Sequence, residues 1–332
     1  MGKSVFVLGA GASRAFGDNM PIGEQLAEQI EMRLFEEFHD RSNPTPITNV
    51  LTRRPGGMTG AHERAADYII GALQGKPSID ELINDFPDFP EIADVGKAAI
   101  AVCILHAEAQ TQLNLALSEK ARWGRTLRTL RRSWASKMFR EIGGVDLSRR
   151  AALEALSGVA FVTFNYDRCL EQFLLANFMH TSSMTVGQAT DALKQIEIHH
   201  VYGDLGLLPI MTSQPGKEAN YGSDETWVAV QAASRIRTFT EEQRDPDRIY
   251  SVIAQARRLT FLGFGYHERN LDALFGPANP CPNIPCFGTR ADMADRAKRR
   301  MHQRFMHSPS IVWEDCYADP FMEKYGDDIL SN

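Results

Sequence analysis

The sequence predicts an α/β protein built on a parallel sheet with helices on both faces. Three observations carry this reading. Short apolar segments at 5–8, 158–167, 197–206, 257–270 and 284–289 read as strands, and helical segments such as 224–236 and 246–257 separate the later ones. Each strand segment also runs into a polar or Gly-rich cluster: GAGAS, FNYD, YGDLG, GFGYHERN and FGT. Strands that alternate with helices pack as a parallel sheet covered on both sides. Such sheets bind ligands beyond the carboxyl ends of their strands. One cluster of this kind says little, but five together predict a nucleotide-sized site.

The elements follow in order. Val5 to Leu8 forms a buried strand, and Gly9-Ala10-Gly11-Ala12-Ser13 turns the chain into a helical start. Glycine tolerates positive φ and lets backbone amides approach an anion, which the following helix N-terminus also favours. Ser13 and Arg14 could add a hydroxyl and a charged fork to a diphosphate. The usual dinucleotide pattern then expects a second strand ending in an acidic residue about 20 residues on. Here "MPIGEQLAEQIEMRLFEEF" reads instead as a helix with Pro21 at its start.

Residues 40–61, rich in Pro, Gly, Ser and Thr, read as a surface loop. "SIDELINDF" reads as a helix with Ser78 as N-cap and Glu81 placed for a capping box. From 91 to 141 the chain is nearly free of Gly and Pro, which predicts two or three further helices. The apolar residues of 98–109 are expected in the core or between helices. The arginines 122, 125, 128, 131 and 132 read as a solvated helix face. The expected organisation is one domain over 1–332, with 20–155 a mainly helical insertion and 156–332 the rest of the nucleotide-binding α/β core.

Composition narrows the class. The chain has 332 residues, 43% of them hydrophobic and 23% charged, as in an ordinary globular protein. A net charge of −6 argues against bulk nucleic-acid affinity. No run approaches the ~18 apolar residues of a membrane span, and the apolar N-terminus reads as a strand rather than a signal peptide. Five cysteines, an odd count, point to reduced thiols and a cytoplasmic location. Cys281 and Cys286 lack a second pair at zinc-ribbon spacing, so no metal is expected.

Gly9-Ala10-Gly11-Ala12-Ser13 followed by Pro21, then Thr163-Phe164-Asn165-Tyr166-Asp167, resembles the GAG-x-S … P and T-x-N-x-D signatures of the sirtuin fold. "SIDELI" and "FLGFGYHERN" resemble the bacterial sirtuin-like NAD-hydrolase family, many of whose members act in antiphage defence. The resemblance implies a Rossmann-like sheet of sirtuin type. It also implies cleavage of NAD to nicotinamide and ADP-ribose, as a defence by NAD depletion. The zinc-binding cysteine pairs of protein-deacetylating sirtuins are missing, which argues against deacylation. A catalytically weak or inactive NAD- or ADP-ribose-binding module, acting as sensor or scaffold in a defence complex, is the alternative. A hydrolase of this kind needs gating in its own cytoplasm, so a homo-oligomer or a separate partner protein is expected.

The residues can be weighed against that chemistry. Nicotinamide leaves from an oxocarbenium-like centre and needs little acid–base help. A polar group at the ribose hydroxyls and a positioned water matter more. The Asn165 amide can donate and accept, so it can hold a ribose hydroxyl or orient the water; it could also be a loop cap. Asp167 matches the family position that binds the nicotinamide carboxamide, and could equally cap the helix that follows. The family's histidine precedes Gly in an "HG" pair, but here Tyr202 precedes Gly203. Residues two apart on a strand face one side, so His200 and Tyr202 should point together. Either His200 reaches the ribose, or Tyr202 supplies a hydroxyl, or catalysis is lost. Gly263, Gly265 and Asn270 suit the adenosine ribose or diphosphate, and Thr289 the adenine side.

Overall fold

A computed structural model describes residues 2–40, 46–74, 78–143, 156–211, 219–238, 241 and 245–331. Six strands form one all-parallel sheet: β1 (Lys3–Leu8), β2 (Val159–Thr163), β3 (Glu197–His200), β4 (Ala256–Leu262), β5 (Cys286–Thr289) and β6 (Ile311–Glu314). Their spatial order is β3-β2-β1-β4-β5-β6, with Leu8 beside both Thr163 and Leu262. This is the Rossmann-like, doubly wound arrangement. The chain first builds outward from β1 through β2 to β3, then returns to the other side of β1 with β4.

Alternation along the strands explains why both faces are dry. Val5, Val7, Ala160 and Val162 enter one core, whereas Phe6, Leu8, Val159 and Phe161 enter the other. Strands buried on both faces read as continuous apolar runs, as β1 and β2 do. Each large side chain so buried contributes roughly 1.5–3 kcal/mol before its entropy cost.

Helices α1 (Ala10–Ser13), α2 (Gly23–Phe35), α3 (Pro46–Arg53), α4 (Gly60–Leu73), α5 (Ile79–Asp85), α6 (Pro90–Gln110), α7 (Lys120–Thr129) and α8 (Trp134–Gly143) lie between β1 and β2. After β2 come α9 (Cys169–His180) and α10 (Val186–Lys194), and after β3 come α11 (Thr226–Arg235) and α12 (Pro246–Ala254). The chain closes with α13 (Glu268–Phe275), α14 (Asp295–Arg304) and α15 (Ala318–Leu330). The first core takes residues from α2 to α6 and α11 to α14; the second takes them from α7 to α10 and α15. Ala98 to Leu105 are buried, as expected, and the five arginines of 122–132 are exposed.

Several expectations are corrected. The loop expected over 40–61 contains α3 and the start of α4, while 41–45 lie outside the described residues. Ile47, Val50 and Leu51 supply a helical apolar face that the surrounding Pro and Gly obscured. The α3 N-terminus is capped from outside, because Ile47 and Thr48 donate to the Glu37 carboxylate at 3.1 and 3.0 Å. Pro21 precedes α2 rather than opening it, since Ile22 is the N-cap. The strand at 284–289 is not the last, because β6 pairs outside it. The strands expected over 197–206 and 257–270 stop at His200 and Leu262.

Among the described residues, no helix is long and apolar enough to cross a membrane.

Candidate functional site

The switch point lies between β1 and β4, and two glycine turns interlock there. Gly9 N–H donates to Leu262 O at 3.0 Å, and Gly11 N–H donates to Gly263 O at 3.1 Å. A Cβ on Gly9 would come within 2.4 Å of Gly263 O. Gly263 has φ +57, and a Cβ there would lie 2.2 Å from Ala12 N. These glycines are therefore required by backbone meeting backbone. Of the turn's amides, the Gly9 and Gly11 N–H groups bond to protein carbonyls and are not open to an anion. The helix behind them is also short: α1 is four residues long and passes into a 3-10 turn, Arg14–Phe16.

Asn165 sits just past β2, and its own amide N–H donates to Thr163 Oγ1 at 3.1 Å. Its side chain is buried, with Nδ2 donating to Gly9 O at 3.0 Å and to Ser13 Oγ at 2.9 Å. A carbonyl acceptor fixes which end of the amide is nitrogen. Ser13 Oγ in turn donates to Asp167 Oδ2 at 2.8 Å, and Cys169 N–H donates to Asp167 Oδ1 at 3.0 Å. Burial pushes the Asp167 carboxyl up, against the opposing bonds from Cys169 and Ser13. The Ser13 hydroxyl is thus engaged with Asn165 and Asp167 rather than placed for a diphosphate. Asp167 acts as a cap for the start of α9. Among the described residues, the buried Asn165 Oδ1 has no hydrogen-bond partner. Both amide protons are used, so its remaining capacity is as an acceptor only.

His200 and Tyr202 part company, contrary to expectation. Strand β3 ends at His200, so the two-residue alternation ends with it. His200 Nε2 lies 2.7 Å from Glu171 Oε1 on α9, and Nδ1 lies 2.8 Å from Asn165 O. Tyr202 packs in the opposite core against Phe164 and donates to Asn270 Oδ1 at 3.0 Å. Burial opposes charge on His200, but the Glu171 carboxylate outweighs it and pushes the imidazole up to about 9. At neutral pH His200 is therefore an imidazolium with both nitrogens engaged, which leaves it no lone pair for a ribose hydroxyl. Burial also pushes the Tyr202 phenol up, with Asp80 adding to it.

Gly203 and Thr289 have structural roles. Gly203, at φ +83, lets the chain turn tightly past Arg235 O, which a Cβ would approach to 2.1 Å. Thr289 Oγ1 accepts Gly263 N–H at 2.9 Å and so braces the second glycine turn. Gly265 packs under the His267 ring, Arg14 and Asn270 are half-buried, and Pro21 is buried.

Sequence reasoning missed Asp80 and Glu171. Asp80, in the first turn of α5, accepts the Tyr166 hydroxyl at 2.7 Å. Burial raises its carboxyl to about 6, against that hydrogen bond. Glu171 lies in "RCLEQFLLANF", where one acid inside a long apolar helix was the available signal. A cavity of about 330 Å³ borders the edge strand β3, lined by Ile198, His199, His200, Asp204, Asp245 and Ile249. It lies two strands from the switch point.

Among the described residues, no group of three or more His, Cys, Asp or Glu side chains converges to hold a metal ion. The chain matches no family model, no curated protein and no solved structure.

Proposed function

We propose that the protein binds NAD across the β1/β4 switch point and hydrolyses it to nicotinamide and ADP-ribose. The observation that carries this reading is the buried, unpartnered Oδ1 of Asn165 beside that switch point. A ribose hydroxyl or a water is a donor that fits it. The match to GAG-x-S and T-x-N-x-D, and the sirtuin-type reading of the sheet with a helical insertion over 20–155, support NAD over other nucleotides.

In the proposed reaction the bond between C1′ and the nicotinamide nitrogen breaks, and its electron pair leaves with nicotinamide. The ribose centre becomes oxocarbenium-like. A water held at Asn165 adds to C1′ and loses its proton to solvent. Asn165 contributes by positioning, an effect that needs no titrating base. The biological reading is antiphage defence by NAD depletion in the cytoplasm, with activity gated by homo-oligomerisation or a partner protein. The helical segment between β1 and β2 is the contact surface in this proposal.

One observation favours a second reading, in which the protein holds NAD or ADP-ribose without turnover. His200 has both ring nitrogens engaged and Tyr202 donates to Asn270, so neither is poised on a substrate. Purified protein incubated with NAD decides between the two. Nicotinamide release that Asn165→Ala abolishes supports hydrolysis. Calorimetric binding with no release, under oligomer-promoting conditions as well, overturns hydrolysis in favour of the binding module.

A further inference from the structure

We propose that Cys281 and Cys286 form a dithiol–disulfide site, closed by oxidants of the peroxide class. Their Sγ atoms lie 3.5 Å apart, and both side chains are buried. A disulfide needs ~2.05 Å, so the sulfurs must close by about 1.5 Å. The surrounding chain can supply that movement. Cys281 sits in the irregular segment between α13 and β5, where Pro277 to Pro280 are exposed and Gly276 and Ala278 have positive φ. Cys286 is fixed, paired in the sheet with Leu259 and Ile311 on its two sides. One sulfur is anchored and its partner lies on a segment with exposed neighbours, through which a small oxidant reaches the pair by local opening.

The other cysteines are placed differently. Cys103 packs within α6, Cys169 Sγ meets Tyr221 OH at 3.0 Å, and Cys316 is half-buried ahead of α15.

The chemistry follows from the pairing. The two sulfurs are in hydrogen-bond contact, with either able to donate; that contact pulls the Cys286 thiol down, helped by Ser308 and opposed by burial, and pushes Cys281 up. Cys286 is then the thiolate that attacks a peroxide oxygen, giving a sulfenic acid and one water from hydrogen peroxide. Cys281 sulfur attacks that sulfur, forms the S–S bond and releases a second water. Two electrons pass from the sulfurs to the peroxide, and both thiol protons end in water. A dithiol reductant reverses the step by exchange.

The bond would also stiffen the frame of the candidate site. Cys286 lies on the strand that carries Thr289, the brace of Gly263. Cys281 N–H donates to Arg304 O at 2.7 Å, and Arg304 pairs with Glu268 and Asp272 on α13, the helix that carries Asn270.

The test is thiol counting and peptide mapping on the full chain after hydrogen peroxide, with and without dithiothreitol. The expected result is loss of two of the five thiols, a single Cys281–Cys286 cross-link, and full return on reduction. Cys281→Ser should leave Cys286 trapped as a sulfenic acid that a dimedone probe labels. Five intact thiols would overturn the proposal, as would a cross-link through Cys316 between chains. Should the Ser variant not fold, the wild-type peptide map alone decides between these outcomes. None of these readouts depends on NAD.

Discussion

The ends of β2 and β3 carry the two side chains that matter most here, and they differ in what they have left to offer. Asn165 uses both amide protons on Gly9 and Ser13 and keeps a buried acceptor open. His200 has the side chain best suited to proton chemistry, yet both its nitrogens face protein partners, Asn165 O and Glu171. A neutral amide can be buried with capacity in reserve at modest cost. A buried imidazolium must be fully compensated, because an unpaired charge in the interior is far more expensive. The histidine is thus a clamp on the backbone of the asparagine, and the asparagine is the group with an acceptor left over for the ligand proposed here.

The largest effect expected from this contrast is on stability. His200→Ala leaves the Glu171 carboxylate buried without its counter-charge, and removing one partner of such a pair costs about 3–5 kcal/mol. Urea unfolding measures it. A variant that stays as stable as the wild type while losing all NAD cleavage would break the comparison, since the imidazole would then be acting on substrate.

The same pair predicts a pH dependence. The folded value of His200, about 9, lies above its ordinary 6.5. Its charge therefore stabilises the fold fully below about pH 6.5, and that contribution is lost as pH rises through 9. The groups acting on it are Glu171 from α9, with Asp204 adding in the same direction. Neighbouring His199 is held down by burial and stays neutral. Stability should fall by at most roughly 3 kcal/mol across that window. His200→Gln should flatten the slope, and a wild-type stability that rises from pH 7 to 9 would contradict the assignment.

Asn165→Ala should reduce nicotinamide release by about 100-fold or more through lost positioning, with KM changed much less. If affinity for NAD falls while any turnover persists per bound molecule, Asn165 serves binding and the contrast is sharpened in that direction. The smallest effect is Tyr202→Phe, which removes the bond to Asn270 and costs about 1 kcal/mol. Its turnover should stay near wild type. A loss as large as that of Asn165→Ala would move the chemistry to the phenol.

Much of the fold was legible because it rests on local patterns. Val5 to Leu8 and Val159 to Val162 are apolar runs that only a doubly covered strand accommodates. The helix from Ser78 is written in its cap, and Glu81 N–H does donate to Ser78 Oγ at 3.2 Å. Helix α3 was not legible, since its cap comes from Glu37, ten or more residues upstream. Strand β6 was missed as well: four half-buried residues carry little pattern, and its pairing with β5 is a contact at a distance.

At the site, the sequence by itself determined which residue types gather past the strand ends: the glycines, Asn165, Asp167, His200 and Tyr202. Motif spacing and strand periodicity are properties of the chain alone. Only the tertiary structure decided what those groups do with their hydrogen bonds. Gly9 needs no side chain because Gly263 O is 2.4 Å from where its Cβ would be. His200 is charged because Glu171, on another element, lies 2.7 Å away. Asn165 keeps an open acceptor because Gly9 O and Ser13 Oγ, more than 150 residues earlier, take both its protons. Hydrogen-bond capacity is fixed by residue type, but how it is spent depends on neighbours that only folding brings within about 3 Å.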